Sequence, residues 1–452
     1  MSSVNTEKKI TTNHYQDNLD HTLFAWSKQK GINPIDCVHA EGLYIIDRDG
    51  KKYMDFSSQL MNVNLGHNHP YINNAIKEQL DKVAYVFPGI STDPRGALGK
   101  KIAQIAPKHL NKTFFTSGGS DSNENAIILA RLYTGKQKII SKYRSYHGST
   151  YGSLAATGDP RKLGIDANQM PGVVHIEDPY CYRCPWNQSA SNCNYECVSH
   201  LERIIQFEGP ETIAAILLEG ESGTSGCIKY PEHYWKKVEE IAKKNNILTI
   251  SDEVMSGFGR CGEWFAFQRF NVEPDIVVMA KGISSGYMPL GGVLVSDKIA
   301  DFFNDKPLPI GLTYSGHALA CSAGSACMDV YENENILENV KHLGLYLEHK
   351  LKIMKNNYSI IGDCRNTGLL GVIELVKDKK SKEPLIPWNA KGDDLKLTTS
   401  IIVKLREKGL LTFVRWNWIF IAPPLNITEP DLNEGLTIIE SVIQEIEVEI
   451  KN

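Results

Sequence analysis

The stretch DIVVMAKGISSGYMPLGG, Asp275 to Gly292, carries an apolar run that ends on Lys281 and gives way to glycine and serine. Burying an ammonium costs free energy, so a lysine at the end of a core strand is paired, snorkelling or chemically used. Three other apolar runs end on polar groups. TIAAILL is followed by Glu219, ILTI by Ser251, Asp252 and Glu253, and KTFF by Thr116, Ser117, Gly118, Gly119, Ser120 and a helical pattern. Each has a plain explanation when taken singly. Asp252 suits a helix N-cap or turn, Glu219 a rim charge, Lys281 a snorkelling side chain, and Gly118-Gly119-Ser120 an ordinary strand–helix turn. Together, one cation, two carboxylates and a glycine loop at one edge of one sheet form a site, because open α/β sheets bind ligands outside the carboxyl ends of their strands.

The glycine loop offers backbone N–H groups and the positive end of a helix dipole, which suit a phosphate. It lacks the GxxxxGK loop that cradles nucleoside triphosphates, and it lacks the GxGxxG of dinucleotide sites. Pyridoxal 5'-phosphate is a cofactor that needs phosphate donors, a buried carboxylate, an aromatic plate and a lysine. The lysine amine condenses with its aldehyde, and an aspartate keeps the pyridine nitrogen protonated so that the ring accepts electrons. A desolvated Lys281 is depressed in pKa and easily neutral, as a Schiff base requires. Tyr146 and His147, in RSYHGSTYGS, could supply the stacking aromatic, although a Tyr-His pair is as often packing.

The elements that must position these groups alternate between about residues 75 and 300. Short apolar strands are predicted at 112–115, 138–140, 172–176, 212–218, 247–250, 275–279 and 291–295, with helical segments such as SDSNENAIILARLY and PEHYWKKVEEIAKK between several of them. Strands apolar along their whole length and separated by helices predict a mostly parallel sheet covered on both faces. Upstream, EGLYIIDRDGKKYMDF predicts a hairpin turning at Asp47-Arg48-Asp49-Gly50. Downstream come helices after about residue 320, a strand-like LLGVIELV, a helix around 393–408 and WIFIAPPL. The expected division is a small α+β domain built from both termini, 1–74 and 319–452, around a large cofactor-binding domain, 75–318.

Composition sets limits. With 452 residues, 42% hydrophobic, 23% charged and a net charge of −4, the chain gives no reason to expect nucleic acid. No stretch is apolar enough to span a bilayer, and MSSVNTEKKITTNHYQDN lacks the apolar centre of a signal peptide, so a cytoplasmic location with mostly reduced cysteines is expected.

The sequence resembles the class III, fold type I pyridoxal-phosphate aminotransferases over nearly its whole length. The most specific block is ISDEVMSGFGR followed by PDIVVMAKGISSGYMPLGG, with Lys281 lying 29 positions after Asp252; FFTSGGSDSNENAIILAR, GLTYSGHALAC and NLGHNHP support it. The resemblance implies that Lys281 forms the Schiff base and shuttles the proton, and that Asp252 pairs with the pyridine nitrogen. Val254 and Tyr146 would flank the ring, Gly119 and Ser120 would cradle the phosphate, and Glu219 would stand near the ring. It also implies that Thr313 reaches the phosphate in a partner subunit, hence a homodimer, and that Arg415 clamps a substrate carboxylate bidentately. Three positions depart from the family's pattern: Met61 where a tryptophan is frequent, Asp121-Ser122 where Glu-Ala is commoner, and EGESG, with Glu221, where EPV is usual; the resemblance implies that they lie near or beside the substrate pocket, with Met61 a substrate contact. SSQLMNVNLGH with LLEGESGTSG looks like members that act on short ω-amino acids or amines such as taurine or β-alanine, with 2-oxoglutarate or pyruvate as acceptor in a ping-pong reaction.

Cys181, Cys184, Cys193 and Cys197 form a C-x2-C-x8-C-x3-C array compatible with a structural zinc loop or with four reduced loop thiols. Two rival functions remain at this level. A racemase, aminomutase or decarboxylase would keep Lys281 and Asp252 without consuming a 2-oxo acid. A zinc-stabilised binding protein would carry the same site idle.

Overall fold

Hydrogen bonds of a single aspartate shape the first hairpin. Strands β1 (Cys37–Glu41), β2 (Tyr44–Asp47) and β3 (Lys52–Asp55) run antiparallel, and the Asp47 carboxylate accepts from the backbone N–H of Asp49 at 3.1 Å and of Lys51 at 2.9 Å. Gly50 closes the turn at φ +81°, a left-handed backbone that glycine adopts without steric cost. The computed structural model describes residues 13–164 and 169–451; most of the polar N-terminal stretch noted above falls on residues 1–12, outside them.

The seven predicted strands are β4 (Leu110–Thr116), β5 (Lys138–Lys142), β6 (Val173–Ile176), β7 (Ile213–Glu219), β8 (Leu248–Asp252), β9 (Ile276–Met279) and β10 (Gly291–Ser296). They form one sheet in the order β4-β10-β9-β8-β7-β5-β6. All pairs are parallel except the two made by β10, which runs against both β4 and β9. Successive side chains alternate between two cores. Ile139, Ala215, Leu217 and Val278 pack on one face, while Ile140, Ile216, Leu218, Val277 and Met279 pack on the other. Both faces are therefore dry, which is why these strands read as unbroken apolar runs. The helix Gly119–Thr134 lies against this sheet and ends at Gly135, whose left-handed φ of +68° lets its N–H cap the Arg131 carbonyl.

Beyond the sheet, helices Ala318–Asn333 and Ile336–Asn357 precede β11 (Ile361–Thr367) and β12 (Leu370–Leu375). The helix Lys396–Glu407 leads into β13 (Leu410–Leu411), β14 (Val414–Arg415) and β15 (Trp418–Ile421), and a last helix spans Glu429–Lys451. β13 pairs parallel to β3, Leu410 opposite Met54, so the two ends of the chain share one small sheet; β11-β12-β15-β14 form another. Arg260, fully buried, pins these parts together. It donates to the Leu369 and Pro423 carbonyls at 3.1 and 2.6 Å, to Ser58 Oγ at 3.1 Å and to Asn64 Oδ1 at 2.8 Å.

An unusual turn lies between β3 and the first long helix. Ser58, Gln59, Leu60 and Met61 have φ of +45°, +48°, +66° and +57°, four consecutive non-glycine residues in the left-handed region. Such backbone costs roughly 1–2 kcal/mol per residue for L-amino acids. Asp55 Oδ1 offsets part of that by accepting from the N–H of Ser57 and Gln59, and Ser58 Oγ donates to the Ala422 carbonyl at 2.7 Å.

Candidate active site

The carboxyl ends of β4, β5, β7, β8 and β9 open on one cavity of about 140 Å³. Gly119, Ser120, Tyr146, His147, Glu219, Asp252, Val254 and Lys281 all line it. Eight residues scattered over some 160 positions of chain meet there because each ends or follows a strand of the same sheet or begins the helix after one.

Asp252 is the most heavily engaged. Oδ1 accepts from the Val254 N–H at 3.0 Å, and Oδ2 accepts from Asn123 Nδ2 at 2.9 Å and from His147 Nδ1 at 2.7 Å. These bonds fix the carboxylate while it borders the cavity. His147, fully buried, also meets Ser141 Oγ through Nε2 at 3.2 Å, so its ring supports Asp252.

Lys281 sits at φ +50°, a strained backbone at the start of the turn after β9. Burial depresses its ammonium to about 8; Asp252 opposes that shift and Arg161 adds to it. An amine this close to neutrality at physiological pH is suited to condense with an aldehyde and to carry a proton. Glu219 is buried, and burial raises its pKa; Lys142 and His147 pull it back down and Asp252 pushes it up.

At the opposite end of the cavity the first turn of helix Gly119–Thr134 presents N–H groups with no intrahelical partner. A Cβ on Gly119 would stand 2.8 Å from Val254 Cγ1, so glycine is what allows the loop and Val254 to close on the same ligand. Ser120 Oγ accepts from the Ser149 N–H at 3.0 Å, joining two loops at that end. A depressed lysine amine, an oriented aspartate, a glycine-lined helix N-terminus and the Tyr146 and Val254 side walls fit pyridoxal phosphate in shape and in chemistry.

The other expected site residues lie elsewhere. Arg415 is outside the cavity wall, its guanidinium held by Asp159 at 2.5 and 3.0 Å. Thr313 is exposed and does not border the cavity; the Tyr85 hydroxyl donates to its carbonyl at 2.9 Å. Met61, offered to substrate by its place in the sequence, sits apart from this cavity wall. It is buried in an apolar cluster with Cys227, Trp416 and Trp418 because the left-handed turn aims it inward, and it does not line the cavity. Glu221, set beside the pocket by sequence, does line it and is held by Arg269 at 2.7 Å.

The sequence reading did not single out Asp159 and Arg161. Asp159 is buried and also accepts from Arg161 Nε at 2.9 Å. Arg161 lies over the Tyr146 ring, 3.7 Å from its centroid, and donates to Thr224 Oγ1 at 3.0 Å; Tyr146 and Thr224 both border the cavity. Only GDPRK, a charge alternation typical of any surface turn, marks them in sequence.

The four cysteines of the loop are free and line one small cavity of about 20 Å³. Burial, with Cys193 and Cys181 adding to it, raises the Cys197 thiol to about 12. Among the described residues, no three His, Cys, Asp or Glu side chains are disposed to hold a metal ion, and no helix is long and apolar enough to cross a membrane.

The family described as aminotransferase class-III matches residues 25–443. The chain belongs to that family. The enzyme is a transaminase that uses pyridoxal 5'-phosphate, with an amino donor and a 2-oxo acid as substrates. Its fold is the fold type I α/β arrangement: it superposes on the taurine:2-oxoglutarate aminotransferase of Bifidobacterium kashiwanohense, solved with PLP and glutamate, at a TM-score of 0.93, with 38% identity over 99% of each chain. The putrescine–pyruvate aminotransferase of Pseudomonas aeruginosa is 32% identical over 93% of each chain. The leucine/methionine racemase of Thermococcus litoralis is 34% identical over 94% of each. With family membership, the reading of an idle, zinc-stabilised binding protein falls away.

Proposed function

We propose that this aminotransferase takes its amino group from a short ω-amino acid or amine with an anionic end, of the taurine or β-alanine kind, and passes it to 2-oxoglutarate or pyruvate. The observation that carries the proposal is the pair Arg161 and Arg415, two guanidinium groups sharing the single carboxylate of Asp159 beside the cavity. Two cations against one internal anion leave a positive charge that a sulfonate or carboxylate can answer, at the end of a substrate whose amine points to Lys281.

Pyridoxal phosphate supplies the electron sink when bound. Lys281 Nζ receives and returns the proton of the donor carbon, Asp252 holds the charge state of the pyridine nitrogen, and Tyr146 and Val254 confine the ring. Gly119 and Ser120 bind the phosphate with the helix N-terminus. The active form is a cytoplasmic homodimer in which Thr313 completes the partner's site, and the chain divides into segments 1–74 and 319–452 around a 75–318 cofactor domain.

A donor-by-acceptor matrix tests this. Amine-dependent glutamate or alanine should form with taurine or β-alanine and fall sharply for donors without an anionic end. No 2-oxo acid consumption with any donor would remove the aminotransferase reading. Lys281→Ala should lose both turnover and the visible absorbance of the cofactor-loaded protein. The 34% identity to a racemase favours one second reading, inversion of a free amino acid at the same lysine. It predicts loss of optical activity without any 2-oxo acid.

A further inference from the structure

Lys142 ends β5 and is fully buried, yet the chemistry above does not use it. Its Nζ lies 3.7 Å from Glu219 Oε2, 3.6 Å from Asp178 Oδ1 and 4.7 Å from the centre of the Tyr230 ring. Among the described residues none of these three charged atoms has a hydrogen-bond partner, so their mutual attraction is what each has in place of water. Asp178 is secured through its other oxygen, which accepts from the Arg144 N–H at 2.8 Å.

The sheet explains why a counter-charge is required. Glu219 and Asp252 are register partners on the parallel strands β7 and β8, so two carboxylates stand side by side at one edge. Asp252 has His147 and Asn123. Among the described residues Glu219 receives only a long 3.4 Å bond from the Tyr146 N–H on its side-chain oxygens, while the Tyr230 hydroxyl donates to its carbonyl. The groups that face Glu219 are Lys142 from β5, His147 and Tyr146 from the loop after it, Asp252 from β8, Lys281 beyond β9, and Tyr230 and Cys227 from its own following loop.

We infer that Lys142 is a positioning residue of the active site, keeping Glu219 ionised and turned toward the cavity although Asp252 is its neighbour. The inference rests on the Lys281 cavity being the catalytic site. Removing the ammonium takes away the largest influence opposing burial and Asp252, leaving His147 and the Tyr146 N–H against both, and a neutral Glu219 no longer balances charge beside the cofactor ring.

The experiment compares the full-length holoenzyme with K142M, K142R, E219Q and the K142M/E219Q double variant. The acid limb of kcat/KM, and of the cofactor's absorbance titration, should move up by about one pH unit in K142M, about a tenfold loss on that limb. K142R should restore it, and K142M should add no shift in the E219Q background. A readout independent of the cofactor is the infrared spectrum of the full-length protein: K142M should gain a protonated-carboxyl band that the double variant lacks. A K142M that unfolds more easily but keeps the wild-type pH profile, or one that shifts equally with and without Glu219, overturns the inference. Should K142M fail to fold, E219Q decides. If it removes a protonated-carboxyl band from the wild-type spectrum at neutral pH, Glu219 was never ionised and the inference fails. A wild-type protein that binds no cofactor would instead sink the assignment of the cavity, whatever the infrared result.

Discussion

Asp159 grips Arg415 through two hydrogen bonds, Nη1 to Oδ2 at 2.5 Å and Nη2 to Oδ1 at 3.0 Å, in the fork geometry that a substrate carboxylate would use. The protein therefore carries its own anion on the arginine that the sequence offers to substrate. On the proposed function, a substrate anion bound at Arg415 would displace or share that contact.

Asp159→Asn should lower KM for anionic donors relative to uncharged amines and destabilise the fold. Burial raises the Asp159 pKa, but Arg415 and Arg161 outweigh it, and the net value is below the usual carboxylate range. With the folded pKa depressed, the stabilisation is present above the unfolded value and is lost as pH falls through the folded one. The variant should lose about 3 kcal/mol at pH 7, as expected for breaking a buried ion pair, and its stability should depend less on acid than the wild type's. Denaturant melts from pH 3 to 7 check this; parallel curves for the two proteins would contradict it.

Lys281→Met should make the cofactor-free protein more stable at neutral pH. The folded pKa of about 8 lies below the ordinary lysine value of 10.5, so the unfolded chain binds the extra proton between them. Stability of the wild type thus rises as pH goes from about 8 to about 10.5, and the gain from Lys281→Met, about 3 kcal/mol at pH 7, shrinks over that window. Thermal melts of both apo-proteins at pH 7 and pH 10 measure it. An equal difference at both would reject the buried-ammonium argument.

Gly119→Ala should weaken cofactor binding about tenfold, or about 1.4 kcal/mol. The added methyl meets Val254 Cγ1 at 2.8 Å, and one wall has to yield. Titration of the apo-protein with pyridoxal phosphate reads the affinity. Val254→Ala in the same chain should recover most of it, since the clashing methyls are gone; no recovery would place the defect elsewhere.

Gln59→Gly should raise stability by about 1 kcal/mol, because glycine occupies the left-handed region without the steric penalty of a side chain. Gln59 is exposed at φ +48°, so little packing is lost. An unchanged or lower midpoint in denaturant would show that the strain is already compensated in the turn.

Much of the site was legible because a parallel sheet converts sequence position into spatial position. An apolar run buried on both faces must be a strand, and whatever follows it must lie at the carboxyl edge; Lys281, Asp252, Glu219 and the Gly119-Ser120 loop were located by that rule alone. The run lengths also predicted seven strands, though not that β10 inserts between β4 and β9 and runs against both, since direction leaves no mark on an apolar pentapeptide.

What the tertiary structure decided was contact across distance. Met61 turned into the core because four non-glycine residues adopt left-handed backbone, supported locally by Asp55 and from a distant segment by Arg260, which local propensity does not reveal. Arg415 is joined to Asp159, 256 positions away, and Lys142 to Glu219, neither pairing announced by spacing. The amino-acid sequence by itself determined which chemistry is possible, because residue type and strand end suffice for a lysine, a carboxylate and a phosphate loop. Which charges answer one another is set only by packing, since Coulomb attraction in a dry interior depends on separation in space and not along the chain.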